Sequence, residues 1–325
     1  MPHTSMDDFW LDQEQLKPRL ARVHDIMLDV VRSNAFPLAD AVESLVQANG
    51  KMLRPAFLLI ASDFGKKKQG IDELAAAIEL LHVATLIHDD VIDQADTRRG
   101  ITTLHARFGV KEAVLAGDWL LTRCFRLASE HSSPANARLI AQLLGSICSE
   151  EIHQDMETYL WPASVRNYLR KISGKTAALF GMALRVGASE SKAMSAVVST
   201  LTRVGYNVGM AFQITDDILD FRANEGDMRK PVGKDLREGL CTLPLILALA
   251  SNAAALKPLL GDGPMGEANV ANVLTLVRDC GALEHAKTFA SAYTKRAILE
   301  LDRLPDVRAK HELRHLCDKL LGRSW

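Results

Sequence analysis

The sequence predicts an all-α fold, and three observations carry that expectation. Apolar residues recur at three- and four-residue spacing over long stretches. The clearest of these, "IDELAAAIELLHVATLIHDDVID" (71–93), is rich in Ala and Leu and has no interior Gly or Pro. Alternating β-branched runs bounded by hairpin turns are hard to find.

In chain order, helical spacing continues through "ASVRNYLRKISGKTAALFGMAL" (163–184), "AVVSTLTRVGYNVGMAFQITDDILDF" (196–221) and "HAKTFASAYTKRAILELDRL" (285–304). Breaks fall at 62–70, 130–137, 160–164, 222–239 and 261–269, each marked by Gly, Pro or clustered polar residues. None resembles a low-complexity linker, so residues 1–325 are expected to form one domain of packed helices, with 1–20 as a peripheral N-terminal segment. Lys66–Lys68 reads as a solvated loop. The 222–239 segment is long, polar and basic, and long loops in compact domains tend to be functional.

Composition narrows the function. At 48% hydrophobic and 24% charged, the chain has material for a sizeable core. A net charge of −1 provides no basic field for nucleic acid. Five scattered cysteines form no CxxC, which suits a reducing compartment rather than a zinc site or a disulfide framework. The polar, acidic N-terminus is no signal peptide, and "LPLILALA" (243–250) has the length of a core helix rather than a membrane span. A soluble cytoplasmic protein is the expectation, one compatible with peripheral membrane contact.

Two stretches do not fit an ordinary buried helix. "LIHDDVIDQADTRRG" (86–100) places four aspartates within eight residues, and "FQITDDILDF" (212–221) repeats the pattern. Asp89 and Asp93 are four apart, so on a helix they share a face, roughly 6 Å apart along the axis, with Asp90 about 100° round. Asp216, Asp217 and Asp220 repeat that spacing. The neighbours are apolar, so each set is a polar strip on an otherwise buried helix. Unpaired buried carboxylates cost several kcal/mol each, of order. An exposed acidic face is the plain alternative. The repetition favours hard divalent cations, and Mg²⁺ is usually held by one or two carboxylates plus a substrate phosphate.

Cations are grouped around the strips. "NGKMLRP" supplies Lys51 and Arg54, "TRRG" supplies Arg98 and Arg99, and "VGKD" supplies Lys234. "SGKTAALF" supplies Lys175 and Thr176 near a predicted helix start, where backbone N–H groups favour anions. Any single Lys or Arg is more often a surface residue; the grouping is what points to a polyphosphate.

At these residues the chain strongly resembles the trans-polyprenyl diphosphate synthases of medium and long chain length, the hexaprenyl, heptaprenyl and octaprenyl type. "GKMLRP" looks like that family's GKxxRP motif, and the two aspartate stretches look like its first and second aspartate-rich motifs. "YLRKISGKTAALF" and "GKDLREGLCTLPL" also match in order and spacing. The resemblance runs from about residue 20 to the C-terminus and implies an isoprenoid synthase-type helical bundle around a central cavity, usually dimeric. It implies head-to-tail condensation of isopentenyl diphosphate (IPP) with an allylic diphosphate, through ionisation, attack by the IPP double bond and proton loss. On that resemblance three Mg²⁺ ions lie on Asp89, Asp93, Asp216 and Asp220, assisted by Asp90 and Asp217. Arg98, Lys175, Thr176, Gln213 and Lys234 hold the allylic diphosphate; Lys51, Arg54, His82 and Arg99 hold IPP. The chain departs from the family's usual pattern at Leu240, where most members have a lysine shortly before "TLP", and in "NGKML" where many have "GGKRL".

One helical turn before Asp89 stand Ala84 and Thr85, both small, with Leu81 deeper. In family members with short products this position tends to be a bulky aromatic, so small residues imply a longer tunnel, and Ala84→Phe is expected to shorten the product. The plain alternative is a close helix–helix approach at Ala84. Leu80 and Phe125 are candidates for a deeper floor. Three rival readings stand beside this one. A terpene cyclase would replace the second aspartate motif. A ferritin-like di-iron bundle would use Glu79–His82 and Glu150–His153, both Glu-x-x-His, but leaves both strips unexplained. Finally, some quinone side-chain synthases act only with a small second subunit, so this chain carries the catalytic machinery either alone or beside such a partner.

Overall fold

Helices account for nearly all the regular structure, as the spacing predicts. The computed structural model describes residues 9–10, 12–32, 38–47, 50–98, 100–161, 163–222 and 232–322. The first helices are α1 (Leu16–Arg32), α2 (Ala39–Gln47), α3 (Leu53–Ser62) and α4 (Ile71–Ile92). A two-residue hairpin, β1 (Thr97–Arg98) with β2 (Ile101–Thr102), pairs Arg98 with Ile101 and is the one sheet among the described residues. Helix periodicity could not reveal it, because two-residue strands carry no pattern of their own. Then follow α5 (Leu104–Phe108), α6 (Val110–His131), α7 (Pro134–Met156) and α8 (Val165–Ile172). The second half comprises α9 (Ala178–Glu190), α10 (Ser195–Arg222), α11 (Lys234–Arg237), α12 (Leu243–Leu256), α13 (Glu267–Asp279), α14 (Ala282–Asp302) and α15 (Arg308–Leu321).

Two apolar cores meet along α10. The first gathers α1, α3, α4, α6, α9 and α15, and includes Val197–Val208 of α10. The second gathers α8, α12, α13 and α14 around Met210, Ile214, Ile218 and Phe221 of the same helix. α4 packs against α1, α3 and α6; α10 packs against α9 and α14. Close approach of α9 and α10 depends on Gly205, where a Cβ would lie 2.5 Å from the carbonyl oxygen of Phe180. Both aspartate strips occupy helix ends beside apolar residues, the first next to Ile87 of the first core and the second among Ile214, Ile218 and Phe221 of the second.

Three local expectations need correcting. The described part of the N-terminal segment is not peripheral, since Trp10 is fully buried and Phe9 nearly so. A short aromatic pair gives no periodic signal, but it brings a large apolar area into the core. Lys68 is not solvated either. Its ammonium pairs with the buried Glu190 carboxylate and donates to the carbonyl of His131 at 2.9 Å, while Lys66 and Lys67 stay exposed. Finally, Lys175 does not begin a helix. Residues Ser173–Ala177 form a π-helical turn joining α8 to α9, a device often found at functional sites.

Candidate active site

The first strip ends α4, with Asp93 as the residue that caps the helix. Asp89 is half-buried, its Oδ2 4.0 Å from Lys175 Nζ. The same ammonium donates to Glu151 of α7 at 2.7 Å, so one lysine stands between two carboxylates. Burial pushes the Asp89 carboxyl up to about 6; Lys175 works against this, and Glu151 and Asp93 reinforce it. Burial works against the Lys175 charge as well, but Asp89 and Glu151 outweigh it and raise its pKa. The π turn serves this contact. Gly174 lies so close to α7 that a Cβ would be 2.7 Å from Glu150 Cγ, which brings Lys175 beside Glu151.

Asp90 turns inward. It is 3% exposed, and the Arg98 guanidinium from the hairpin bonds its Oδ1. Asp93 meets the other wall, its Oδ2 3.8 Å from Lys234 Nζ, which also contacts Glu238 at 3.0 Å.

The second strip lies on α10. Asp217 is 4% exposed, and both its oxygens are taken: Tyr168 donates its hydroxyl at 2.7 Å and Gln213 its amide at 2.9 Å. Thr176 donates to the Gln213 carbonyl oxygen at 2.8 Å, so two predicted diphosphate contacts lean on each other. Burial pushes the Asp217 carboxyl up to about 7, opposed by the Tyr168 and Gln213 hydrogen bonds and reinforced by Asp216 and Asp220. Asp220 accepts the backbone N–H groups of Lys234 and Asp235, each at 3.1 Å. Asp216 is half-buried on the same helix.

Lys51 and Arg54 flank the start of α3. Met52 between them is buried with φ 51°, a left-handed conformation that bends the chain sharply into the helix. Lys51 Nζ stands 4.7 Å over the Phe9 ring, and the Arg54 guanidinium 5.3 Å over the Phe180 ring. Phe180 in turn contacts Phe212, the neighbour of Gln213, with 5.7 Å between ring centroids. Arg54 thus connects through two rings to the helix that carries the second strip. His82 is half-buried on α4, seven residues before Asp89. Arg99 lies outside the described residues, as does 223–231 of the basic segment.

Among the residues proposed to set chain length, Leu81 and Ala84 have no accessible surface and belong to the first core. That burial suits the alternative of a close helix approach at Ala84. Leu80 is equally enclosed, while Thr85 and Phe125 keep accessible surface. Sequence reasoning missed Glu151, Tyr168 and Phe9. Glu151 sits in the "EEIH" stretch already noted for its neighbours; Tyr168 and Phe9 have no local signal.

Divalent metal suits this donor set. The strips offer only hard oxygen donors, and lysine ammoniums stand 3.8–4.0 Å from Asp93 and Asp89, where a positive charge is evidently accommodated. Among the described residues no three carboxylate, imidazole or thiol side chains converge as a ready-made cage. The di-iron alternative has no such support. His153 is exposed and bonded to its own helix at Ser149, and Glu150 faces Arg170.

Known proteins share this chain's sequence and fold. The polyprenyl synthetase family model matches residues 37–277. "Heptaprenyl diphosphate synthase component 2" of Geobacillus stearothermophilus is 37% identical over 303 residues, 93% of this chain and 94% of that one. A solved geranylgeranyl pyrophosphate synthase from Lactobacillus brevis superposes with TM-score 0.91 at 33% identity, covering 97% of this chain and 99% of that one. A polyprenyl synthase from Caulobacter crescentus, solved with calcium and isoprenyl diphosphate, gives TM-score 0.90 at 32% identity, with 99% of each chain covered. Matched nearly end to end, this chain belongs to the polyprenyl synthetase family, whose members use divalent metal, and is a polyprenyl diphosphate synthase, a head-to-tail prenyltransferase.

Proposed function

We propose that the chain joins IPP to an allylic diphosphate and makes a medium- or long-chain all-trans polyprenyl diphosphate in the cleft between the ends of α4 and α10. The observation that carries this reading is Lys234. Its ammonium is 3.8 Å from Asp93 of one strip while its backbone N–H meets Asp220 of the other at 3.1 Å. The strips therefore lie within one residue's reach of each other, close enough to share a ligand.

Asp89, Asp93, Asp216 and Asp220 are the residues that would hold Mg²⁺, three ions in all. When bound, the metal neutralises charge developing on the departing diphosphate. Asp90 and Asp217 act from inside, one tying Arg98 and the other fixing Gln213. Lys175, Lys234, Arg98, Thr176 and Gln213 orient the allylic diphosphate. Lys51, Arg54, His82 and Arg99 orient IPP so that its double bond faces the allylic carbon, and the surrounding apolar wall keeps water from the cation. No described helix is long and apolar enough to cross a membrane. Val110, Val114 and Leu115, exposed on α6, support pairing with a second copy.

Product length is read at Thr85, with Phe125 beyond it, rather than at Ala84. The test is incorporation of radiolabelled IPP by the purified chain with Mg²⁺ and allylic primers of increasing length, with products sized by chromatography. Elongated all-trans products support the reading, and a folded chain with no metal-dependent incorporation under any condition contradicts it. A second reading, a catalytic subunit needing a small partner, is favoured by the relative whose name is that of a component. Activity that appears only when such a partner is added would select it.

A further inference from the structure

Phe9 lies far from both aspartate strips in sequence, yet two ammonium groups stand over its ring. Lys51 Nζ is 4.7 Å from the ring centroid and Lys319 Nζ 4.5 Å. The ring is 5% exposed and meets Trp10 edge-on, with 4.8 Å between centroids. Trp10 is fully buried and donates its indole N–H to the Lys51 carbonyl at 2.9 Å. Neighbouring aromatic residues thus hold both ends of Lys51, the backbone through Trp10 and the ammonium through Phe9. Directly after Lys51 comes the left-handed Met52, so the position of this turn depends on what is packed against it.

Phe9 and Asp12 are in turn fastened to the last helix. Lys319 of α15 bonds the Phe9 carbonyl and reaches Asp12 at 2.8 Å, and His315 meets the same carboxylate at 2.6 Å. A continuous path therefore runs from α15 through Phe9 to Lys51, although positions 51 and 319 lie near opposite ends of the chain.

We propose that Phe9 is a positioning residue for IPP, aiming the Lys51 ammonium at the diphosphate, with Lys319 anchoring the ring. This rests on the reading that Lys51 binds IPP. An aromatic face suits the task because it orients an ammonium through the ring quadrupole. A ring locked in a packed site also spares the lysine some of its rotamer freedom before substrate arrives.

Steady-state kinetics on the full chain test this, with IPP and the allylic primer varied separately. Phe9→Leu is expected to raise KM for IPP about five-fold, the scale of one cation–π contact. kcat and KM for the allylic primer should stay near the parent values. Phe9→Tyr, which keeps the ring, should restore KM for IPP. Lys319→Met, a change on α15 that keeps Phe9 but removes its anchor, should move KM for IPP in the same direction by a smaller factor. Lys51→Met is the control. If it raises KM for IPP while Phe9→Leu does not, the role of Phe9 is overturned and the IPP site stands. If Lys51→Met leaves KM for IPP unchanged, both fall. Equal losses for both substrates and in kcat, shared by Phe9→Leu and Phe9→Tyr, would mark Phe9 as a packing residue only and overturn the proposal.

Discussion

At the end of α4, Asp89 and Asp93 face ammonium groups from two different walls, Lys175 from the π turn and Lys234 from α11. On α10 the same sequence spacing is anchored differently: Asp217 is held by Tyr168 and Gln213, and Asp220 by two backbone N–H groups. The first strip is thus balanced by mobile charge and the second by fixed dipoles. A lysine can swing to a diphosphate when metal takes over its carboxylate, whereas a backbone amide stays in place. The physical expectation is that the first strip reorganises on binding while the second serves as the rigid reference. Within each strip one aspartate, Asp90 or Asp217, is buried, while the other two keep accessible surface.

Substitutions can break this contrast in a graded way. Asp89→Asn and Asp216→Asn should lower kcat by about 10³-fold at saturating Mg²⁺, since each removes charge facing the departing group. Stability measured by urea unfolding should change little with Mg²⁺ bound, and for Asp89→Asn in the metal-free protein it should rise, because a desolvated carboxylate is gone. A smaller kinetic loss accompanied by destabilisation is expected for Tyr168→Phe. It leaves one Asp217 oxygen buried without its donor, a cost of about 1–3 kcal/mol by the same unfolding measurement. An unchanged unfolding midpoint for Tyr168→Phe would mean that the second strip is not held as described.

pH separates apo and metal-bound behaviour. The folded-state pKa of Asp89, about 6, and of Asp217, about 7, lie above the ordinary carboxylate value of 3.8. The folded state therefore binds these protons more tightly than the unfolded chain does. Their stabilising contribution is fully present below pH 3.8 and is lost as pH rises through 6 to 7. The metal-free protein should accordingly lose stability across that window. Mg²⁺ should restore it above pH 7, and its binding near pH 6 should release protons detectable by calorimetry in buffers of different ionisation enthalpy. The smallest effect on rate is expected at the tunnel wall. Thr85→Phe should shorten the product with kcat nearly intact, whereas Ala84→Phe should chiefly overpack the core, at about 1–3 kcal/mol. A shortened product from Ala84→Phe in an undisturbed fold would put the ruler back at position 84.

Much of the site was legible because its chemistry contradicts its surroundings. Acidic residues at helical spacing among Ile, Leu and Val demand compensation, and Lys175 and Lys234 supply part of it. What stayed hidden depends on contacts remote in sequence. Nothing near Lys68 announces Glu190, nothing near Phe9 announces Lys51 or Lys319, and nothing near Asp217 announces Tyr168. The π turn was hidden for another reason. "SGKTAALF" looks like a helix start because Ser and Gly favour termini, but packing against α7 draws it into a widened turn of a continuing helix. Ala84 shows the same limit, since a small residue fits an open tunnel and a tight helix contact equally well until burial is known.

The most direct measurement is a crystal structure of the protein with Mg²⁺ and a non-ionisable allylic thiodiphosphate. Metal ions bridging the ligand to both Asp89–Asp93 and Asp216–Asp220, with oxygen ligands at about 2.1 Å and Lys175 turned onto the diphosphate, are the predicted result. Metal confined to one strip, or a diphosphate seated away from the cleft between α4 and α10, would contradict the account.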